Sequence, residues 1–222
     1  MTELLWGRPQ QPGRGPKPAV TLAGIAEAAI RIADAEGLDA VSMQRVADDL
    51  PVTKMALYRY VPGKSELIAV MSDLAVGVPP EHDDLPWREA LKTWALDLYA
   101  AFTKHPWLLQ STIGRRLLGP NELAWMERGI EKLRDTGLNG GEQLDSILVL
   151  TSHVRNLAQQ TITTGLTEDH INQALAEILT TEADRFPSLA AAMQTAAGSQ
   201  NQGLEFGLDR ILDGLEALIS AR

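Results

Sequence analysis

The stretch Ser42-Met-Gln-Arg-Val-Ala-Asp-Asp-Leu-Pro-Val-Thr-Lys-Met-Ala-Leu-Tyr-Arg-Tyr-Val-Pro-Gly-Lys-Ser-Glu-Leu67 decides how this chain is read. Ser42 is a natural N-cap, because its hydroxyl accepts from the orphan N–H groups of a first helical turn. It opens a helix predicted over Met43–Leu50, with Met43, Val46, Ala47 and Leu50 facing inward. Pro51-Val52 is a very short break. Thr53 then caps a further helix, predicted to run to about Tyr60 with Leu57 and Val61 as its apolar anchors. Pro62-Gly63 breaks the chain again.

Upstream, Thr21 starts a helix in which Leu22, Ile25, Ala28, Ala29, Ile32 and Ala33 recur at three and four residues. Gly37 ends it, since glycine accepts the geometry of a helix exit. Three short helices joined this tightly fit a helix-turn-helix, in which the last helix crosses steeply and projects outward. A helix of that size fits the major groove of B-DNA, where every base pair shows a distinct donor and acceptor pattern. Thr53 offers a hydroxyl or backbone N–H to a phosphate, and the helix start favours an anion. Lys54 and Arg59 are the long donors to base edges or phosphates. Met55 and Ala56 suit a thymine methyl. Arg45, one helix earlier, is a candidate phosphate contact.

The pair Val46-Ala47, Leu50, Val52, Thr53, the Ala56-Leu57-Tyr58 core, Tyr60, Lys64 and Leu67 occur together, with Ala35-Glu36-Gly37 upstream. In that combination the stretch resembles the DNA-binding domain of the TetR family of bacterial transcriptional regulators. The resemblance covers the first third of the chain. It implies that Tyr58, Tyr60 and Lys64 contact backbone phosphates of a double-stranded DNA operator. It also implies that the rest of the chain senses a ligand and dimerises through two C-terminal helices per subunit. Pro51 departs from the family, which commonly has Gly at that turn. Proline cannot adopt the positive φ that Gly supplies. Either the preceding helix ends differently or the turn takes another geometry.

Charge is distributed to match. Of twenty basic and twenty-nine acidic residues, residues 1–67 hold eight of each, so the remainder carries the entire net charge of −9. A neutral head with clustered bases can meet phosphate, and an acidic body is held away from it. Residues 1–20 read as a flexible basic arm. Gly7-Arg8-Pro9, Gln11-Pro-Gly-Arg-Gly-Pro16 and Pro18 oppose a regular helix, and Arg8, Arg14 and Lys17 supply the charge. Trp6 has no role that the sequence discloses. Residues 21–67 are then the helix-turn-helix unit and 68–222 a helical effector-binding and dimerisation unit. No signal peptide is evident, and the longest charge-free stretch, between Arg185 and Glu205, is too polar to span a bilayer. A soluble cytoplasmic protein is expected.

The larger unit stays helical. Leu67, Val70, Met71 and Leu74 mark a fourth helix; Trp87, Leu91, Trp94, Leu98 and Phe102 mark a fifth. His105-Pro106-Trp107 is a break. Shorter pieces follow near Trp107–Ser111 and Asn121–Asp135, and a long helix spans Gly141–Ile162. Thr167 caps another that carries Ile171, Ala174, Leu175 and Ile178. Trp94, Leu98, Phe102, Trp107, Trp125 and Met126 are candidate walls of a pocket. His153, Asn156 and Gln160 are its candidate polar groups, a composition suited to a small organic effector. The same aromatics at helical spacing equally make ordinary core, and His153 equally fits a core or interface histidine. In the final helix, Leu204–Ile219, the residues Leu204, Leu208, Ile211, Leu215 and Leu218 form a stripe suited to a dimer seam or to packing within the domain.

Enzyme chemistry finds little footing. There is no cysteine, so thiolate catalysis and Cys-ligated metals are excluded. The four histidines lack metal-ligand spacing, and Glu81-His82-Asp83-Asp84 reads as a solvated loop. Gly63-Lys64-Ser65 lacks the glycine frame of a phosphate loop, and no nucleophile elbow occurs. No cofactor is expected. The reading is an all-α, homodimeric, ligand-responsive repressor on a palindromic operator, with the effector shifting the fourth helix. The alternative is a helical protein-interaction module without sequence-specific DNA binding.

Overall fold

Helix boundaries fall where caps and breakers put them. The computed structural model describes residues 2–7, 20–114, 116–164, 168–196 and 202–222, and these contain helices and no strand. The head contains α1 (Thr2–Trp6), α2 (Leu22–Glu36), α3 (Met43–Asp48) and α4 (Lys54–Leu57). The body follows with α5 (Lys64–Val76), α6 (Trp87–Lys104), α7 (Leu108–Ser111), α8 (Pro120–Glu131) and α9 (Gly140–Thr164). It ends with α10 (Glu168–Glu182), α11 (Pro187–Thr195) and α12 (Gly203–Ser220). Thr21, Ser42 and Thr53 all act as N-caps, accepting from the N–H groups of Gly24, Arg45 and Ala56 at 3.0, 3.1 and 3.3 Å. Gly37 closes α2 at φ 87°, a conformation that side chains rarely adopt.

Ile25, Val41, Val46, Leu57 and Val61 are fully buried and hold the head together. Burial of each such side chain is worth roughly 1.5–3 kcal/mol. The body core joins Leu91, Trp94 and Leu98 of α6 to Ile147, Leu150 and Val154 of α9 and to Leu208 and Leu212 of α12. Arg88 and Lys92 of α6 add ion pairs to α12, through Asp213, Glu216 and Asp209. α5 lies along α2 and also meets α7 and α8. The boundary expected after residue 67 therefore falls inside a helix shared by head and body.

The junction of α5 and α8 is unusually close. α8 begins at Gly119, which has no side chain to cap it, and Asp73 of α5 does so instead. Its Oδ1 accepts from the Glu122 N–H at 3.0 Å, and its backbone carbonyl accepts from Asn121 Nδ2 at 3.0 Å. A Cβ on Gly119 would lie 2.1 Å from Asp73 Cγ, so only glycine fits. Burial holds the Asp73 carboxyl above its ordinary pKa, against the opposing pull of the Glu122 N–H.

Several expectations need correction. Residues 2–6 are helical, because the Pro/Gly run begins only at Gly7. Leu4 and Leu5 pack on the core, and Trp6 Nε1 donates to the Leu118 carbonyl at 3.0 Å. Arg8, Arg14, Lys17 and Thr167 lie outside the described residues, as does the side chain of Ile171. Regular α4 stops at Leu57; tighter bonds from Arg59 to Ala56 and from Tyr60 to Leu57 continue the winding. Leu74 faces outward. The acidic loop after α5 is fastened as well as solvated: Glu81 pairs with Arg128, Asp83 with Lys132 and His82 with Asp97.

Gly119→Ala is expected to destabilise the protein by about 1–3 kcal/mol, the usual cost of overpacking, as read from urea or thermal unfolding. Asp73→Asn is expected to keep or raise stability near pH 7, since the amide oxygen still accepts from Glu122. A carboxyl whose folded pKa is raised favours the native state at low pH, and that contribution is lost as pH rises through the folded value. The wild type should show this decline and the Asn variant should lack it.

Candidate nucleic-acid interface and effector cavity

The turn between α3 and α4 shows how Pro51 is accommodated. The Val52 N–H donates to the Leu50 carbonyl at 2.7 Å, a three-residue turn centred on Pro51. An inverse γ-turn needs φ near −75° at its centre, which proline supplies. The chain thus changes direction without the left-handed residue that Gly would provide, and Thr53 still reaches its capping position.

Beyond the turn, the candidate DNA contacts emerge on the surface. Thr53, Lys54, Met55, Tyr58, Arg59 and Lys64 are exposed. Met55 is 75% exposed. Ala56 is half-buried, and Tyr60 packs its ring on the core. Thr53 already uses its oxygen as an acceptor, which leaves the hydroxyl proton for a phosphate. Arg45 is engaged: its guanidinium meets Glu36 at 2.5 Å, beside an Arg31–Asp49 pair at 2.7 Å. Most basic side chains among the described residues are similarly paired. Among the described residues, those with no ion pair are Lys54, Arg59, Lys64, Lys104 and Arg155. Three of these five lie between Thr53 and Ser65.

In the body, a cavity of about 200 Å³ lies between α6, α8 and α9. Trp94, Leu98, Phe102, Trp125 and Met126 line it, together with Ile147, Thr151 and Arg155 of α9. Trp94 and Trp125 meet at 6.0 Å between ring centroids, tilted by 59°. Trp94 Nε1 donates to the Trp125 carbonyl and Trp125 Nε1 to the Gly77 carbonyl, both at 3.0 Å. Arg155 donates to Thr112 Oγ1 at 2.7 Å and to the Leu109 carbonyl, and its guanidinium lies 5.6 Å from the Phe102 centroid.

Four candidate pocket residues sit elsewhere. Trp107 borders a separate cleft with Asp34 and Gln159. His153 Nε2 lies 3.0 Å from the Leu204 carbonyl, wedged where Gly207 lets α12 approach α9. Asn156 and Gln160 are on the exposed side of α9. The cavity face of that helix is the Ile147, Thr151, Arg155 row, one stripe away from the one expected. Arg155, Thr151, Arg116 and Glu122 escaped notice because a single charged or hydroxyl residue in a helix ordinarily faces solvent. Among the described residues, no three metal-binding side chains converge.

A family model described as bacterial regulatory proteins of the tetR family matches residues 25–71, and a tetracyclin repressor-like C-terminal domain matches residues 79–219. The HTH-type transcriptional repressor DrrR1 of Streptomyces coeruleorubidus is 40% identical over 99% of this chain and 86% of its own length. The chain belongs to the TetR family.

Among solved structures, apo ActR from Streptomyces coelicolor superposes with a TM-score of 0.79 at 28% identity, covering 93% of this chain and 99% of ActR. ActR in complex with actinorhodin gives 0.77 at 31% identity, covering 91% and 97%. TetR-family regulators bind operator DNA and small-molecule effectors. This chain is therefore a DNA-binding transcriptional regulator, and the interaction-module alternative is not favoured. Among the described residues, no helix is long and apolar enough to cross a membrane.

The seam expected on α12 divides. Leu208 is fully buried within its own subunit, whereas Leu204, like Ile211 and Leu215, is half-buried at the edge of the same core. Ile211, Leu215 and Leu218 border an open groove shared with Val149 of α9. Phe206, Leu144 and Leu148 are more exposed apolar side chains on the same two helices.

Lys64→Ala is expected to weaken binding to all duplex sequences alike and to lower the salt slope by about one per subunit. Arg59→Ala is expected to change sequence preference instead. Equal losses across sequences for both variants, in a salt-resolved binding series, would refute that division of roles.

Proposed function

We propose that this protein is a homodimeric repressor whose two heads read a palindromic operator and are released by a small organic effector held between α6, α8 and α9. The observation that carries it is the set of free cations at Lys54, Arg59 and Lys64 on the surface of an acidic protein whose other bases are mostly paired. Phosphate supplies the missing partners, and exposed Met55 and Tyr58 add groove and backbone contacts. We assign Thr53, Ala56, Tyr60 and Arg45 supporting roles, Arg45 on condition that it leaves Glu36. A regulator that reads a bacterial operator works in the cytoplasm, and that location is part of this proposal.

ActR in its solved complexes holds actinorhodin or (S)-DNPA, and this favours an aromatic-walled effector cavity here. The release route runs through α7. Arg155 at the cavity holds α7 through Thr112 and Leu109. Just before α7, His105 Nδ1 lies 2.8 Å and Trp107 Nε1 2.7 Å from Asp34 Oδ1 at the end of α2. Ser72 of α5 bonds Ser111 of α7 at 2.8 Å. A guest that draws Arg155 away loosens α7, and through it both α2 and α5, the two helices that carry the head. The groove between α9 and α12 receives the second subunit, with Val149, Ile211, Leu215 and Leu218 at its centre and Phe206 at its edge.

Selection from a random duplex DNA library with purified protein tests the function; enrichment of an inverted repeat is the expected result. A folded dimer that enriches no sequence would sink it. Val149→Arg is expected to yield monomers by sedimentation velocity and to weaken operator binding at least tenfold. Asp34→Ala is expected to retain effector binding yet reduce the effector's influence on DNA affinity. Unchanged coupling in that variant would remove α7 from the route.

A further inference from the structure

The cavity between α6, α8 and α9 is chemically one-sided. Tryptophan has a single donor and no acceptor, and both Trp94 and Trp125 direct theirs at backbone carbonyls. Their rings are left to offer apolar faces and edges. Arg116 is matched by Glu122 through an ion pair. Arg155 has no such match. Its two hydrogen-bond acceptors, Thr112 Oγ1 and the Leu109 carbonyl, are neutral. Of five guanidinium N–H donors, those two bonds leave three free for another partner.

A half-buried cation without a counter-ion is costly, and an arriving anion relieves that cost. Arg116, itself paired with Glu122, is close enough to disfavour the Arg155 charge further. Burial, reinforced by Arg116, holds the Arg155 pKa below its ordinary value, in keeping with this deficit. The Phe102 ring lies 5.6 Å from the guanidinium, within reach of a cation–π contact. A planar carboxylate matches the guanidinium fork, and aromatic rings attached to it match the tryptophan walls.

We infer that the effector is an aromatic carboxylate, its anionic oxygens on Arg155 and its rings against Trp94, Trp125 and Phe102. This rests on the assignment of that cavity as the effector site. A carboxylate that takes the free N–H donors draws the guanidinium toward the cavity and away from Leu109 and Thr112, so recognition and the release of α7 are one event.

The test titrates the full-length protein with 2-naphthoate and with 2-naphthamide, of equal shape and different charge, by calorimetry and tryptophan fluorescence. The acid is expected to bind at least about tenfold more tightly, the scale of hydrogen bonds to a charged group. Arg155→Gln should abolish the preference and Arg155→Lys should keep most of it. Equal binding of acid and amide, with both blocked by a cavity-filling Leu98→Trp, overturns the anion inference and leaves the effector cavity standing. Absence of binding by either probe overturns both. Should Arg155→Gln fail to fold, the wild-type preference and its persistence in Arg155→Lys decide the matter.

Discussion

One carboxylate oxygen, Oδ1 of Asp34, is held by His105 Nδ1 and Trp107 Nε1, and the relation of head to body depends on it. Asp34 lies near the end of α2, the longest helix of the head. On either side of it in the same helix, Arg31 and Glu36 bind Asp49 and Arg45 of the helix-turn-helix. One helix is thus fastened at Asp34 to the body and on its flanks to the DNA-reading unit. The His-Pro-Trp break before α7 is what presents two donors to a single acceptor. Hydrogen bonds to a charged acceptor are worth about 1.5–3 kcal/mol each, enough for this joint to set the position of a small head with few other polar ties to α7.

Charge segregation works with that joint. The body carries the whole negative excess, and most of its described bases are taken up internally: Arg88, Lys92, Arg128 and Lys132 each bind carboxylates. These pairs are exposed or half-exposed and individually contribute little to stability. Their larger consequence is to leave few free cations among the described residues away from the recognition end. A polyanion approaching this molecule meets attraction at Lys54, Arg59 and Lys64 and net repulsion from the acidic body, so steering and orientation arise from the same distribution.

The sequence is most legible where structure is local. Ser42, Thr53 and Thr21 sit at helix starts because a capping hydroxyl needs only its own next three residues. The α6 face from Trp87 to Phe102 is legible because one stripe meets one core. α9 is harder. It packs against α6, α8 and α12, so apolar residues occur around much of its circumference, and periodicity does not tell which partner each stripe meets. His153 went to α12 and Arg155 to the cavity for that reason. Leu208 was ambiguous in the same way, since a seam between subunits and a core within one need the same spacing. The five-residue α1 is too short to announce itself beside the Pro/Gly run that follows. Pro51 required the hydrogen bond from Val52 to Leu50, which no residue pattern reveals.

The energy scale of release can be judged from the contacts. An effector changes the head only by binding one arrangement more tightly than the other. Moving a balance from 1:99 to 99:1 takes about 5.5 kcal/mol. Arg155 makes two bonds to α7 from a charged donor, and such bonds contribute about 1.5–3 kcal/mol each. Their loss, once a carboxylate takes over the guanidinium, is therefore of the same order as the shift required. A neutral guest filling the same apolar walls would gain burial energy in both arrangements and leave those bonds in place. It would bind without releasing. The tryptophans then supply affinity to any flat guest, whereas Arg155 supplies the extra affinity for an anion together with the response, and the two reside on different helices.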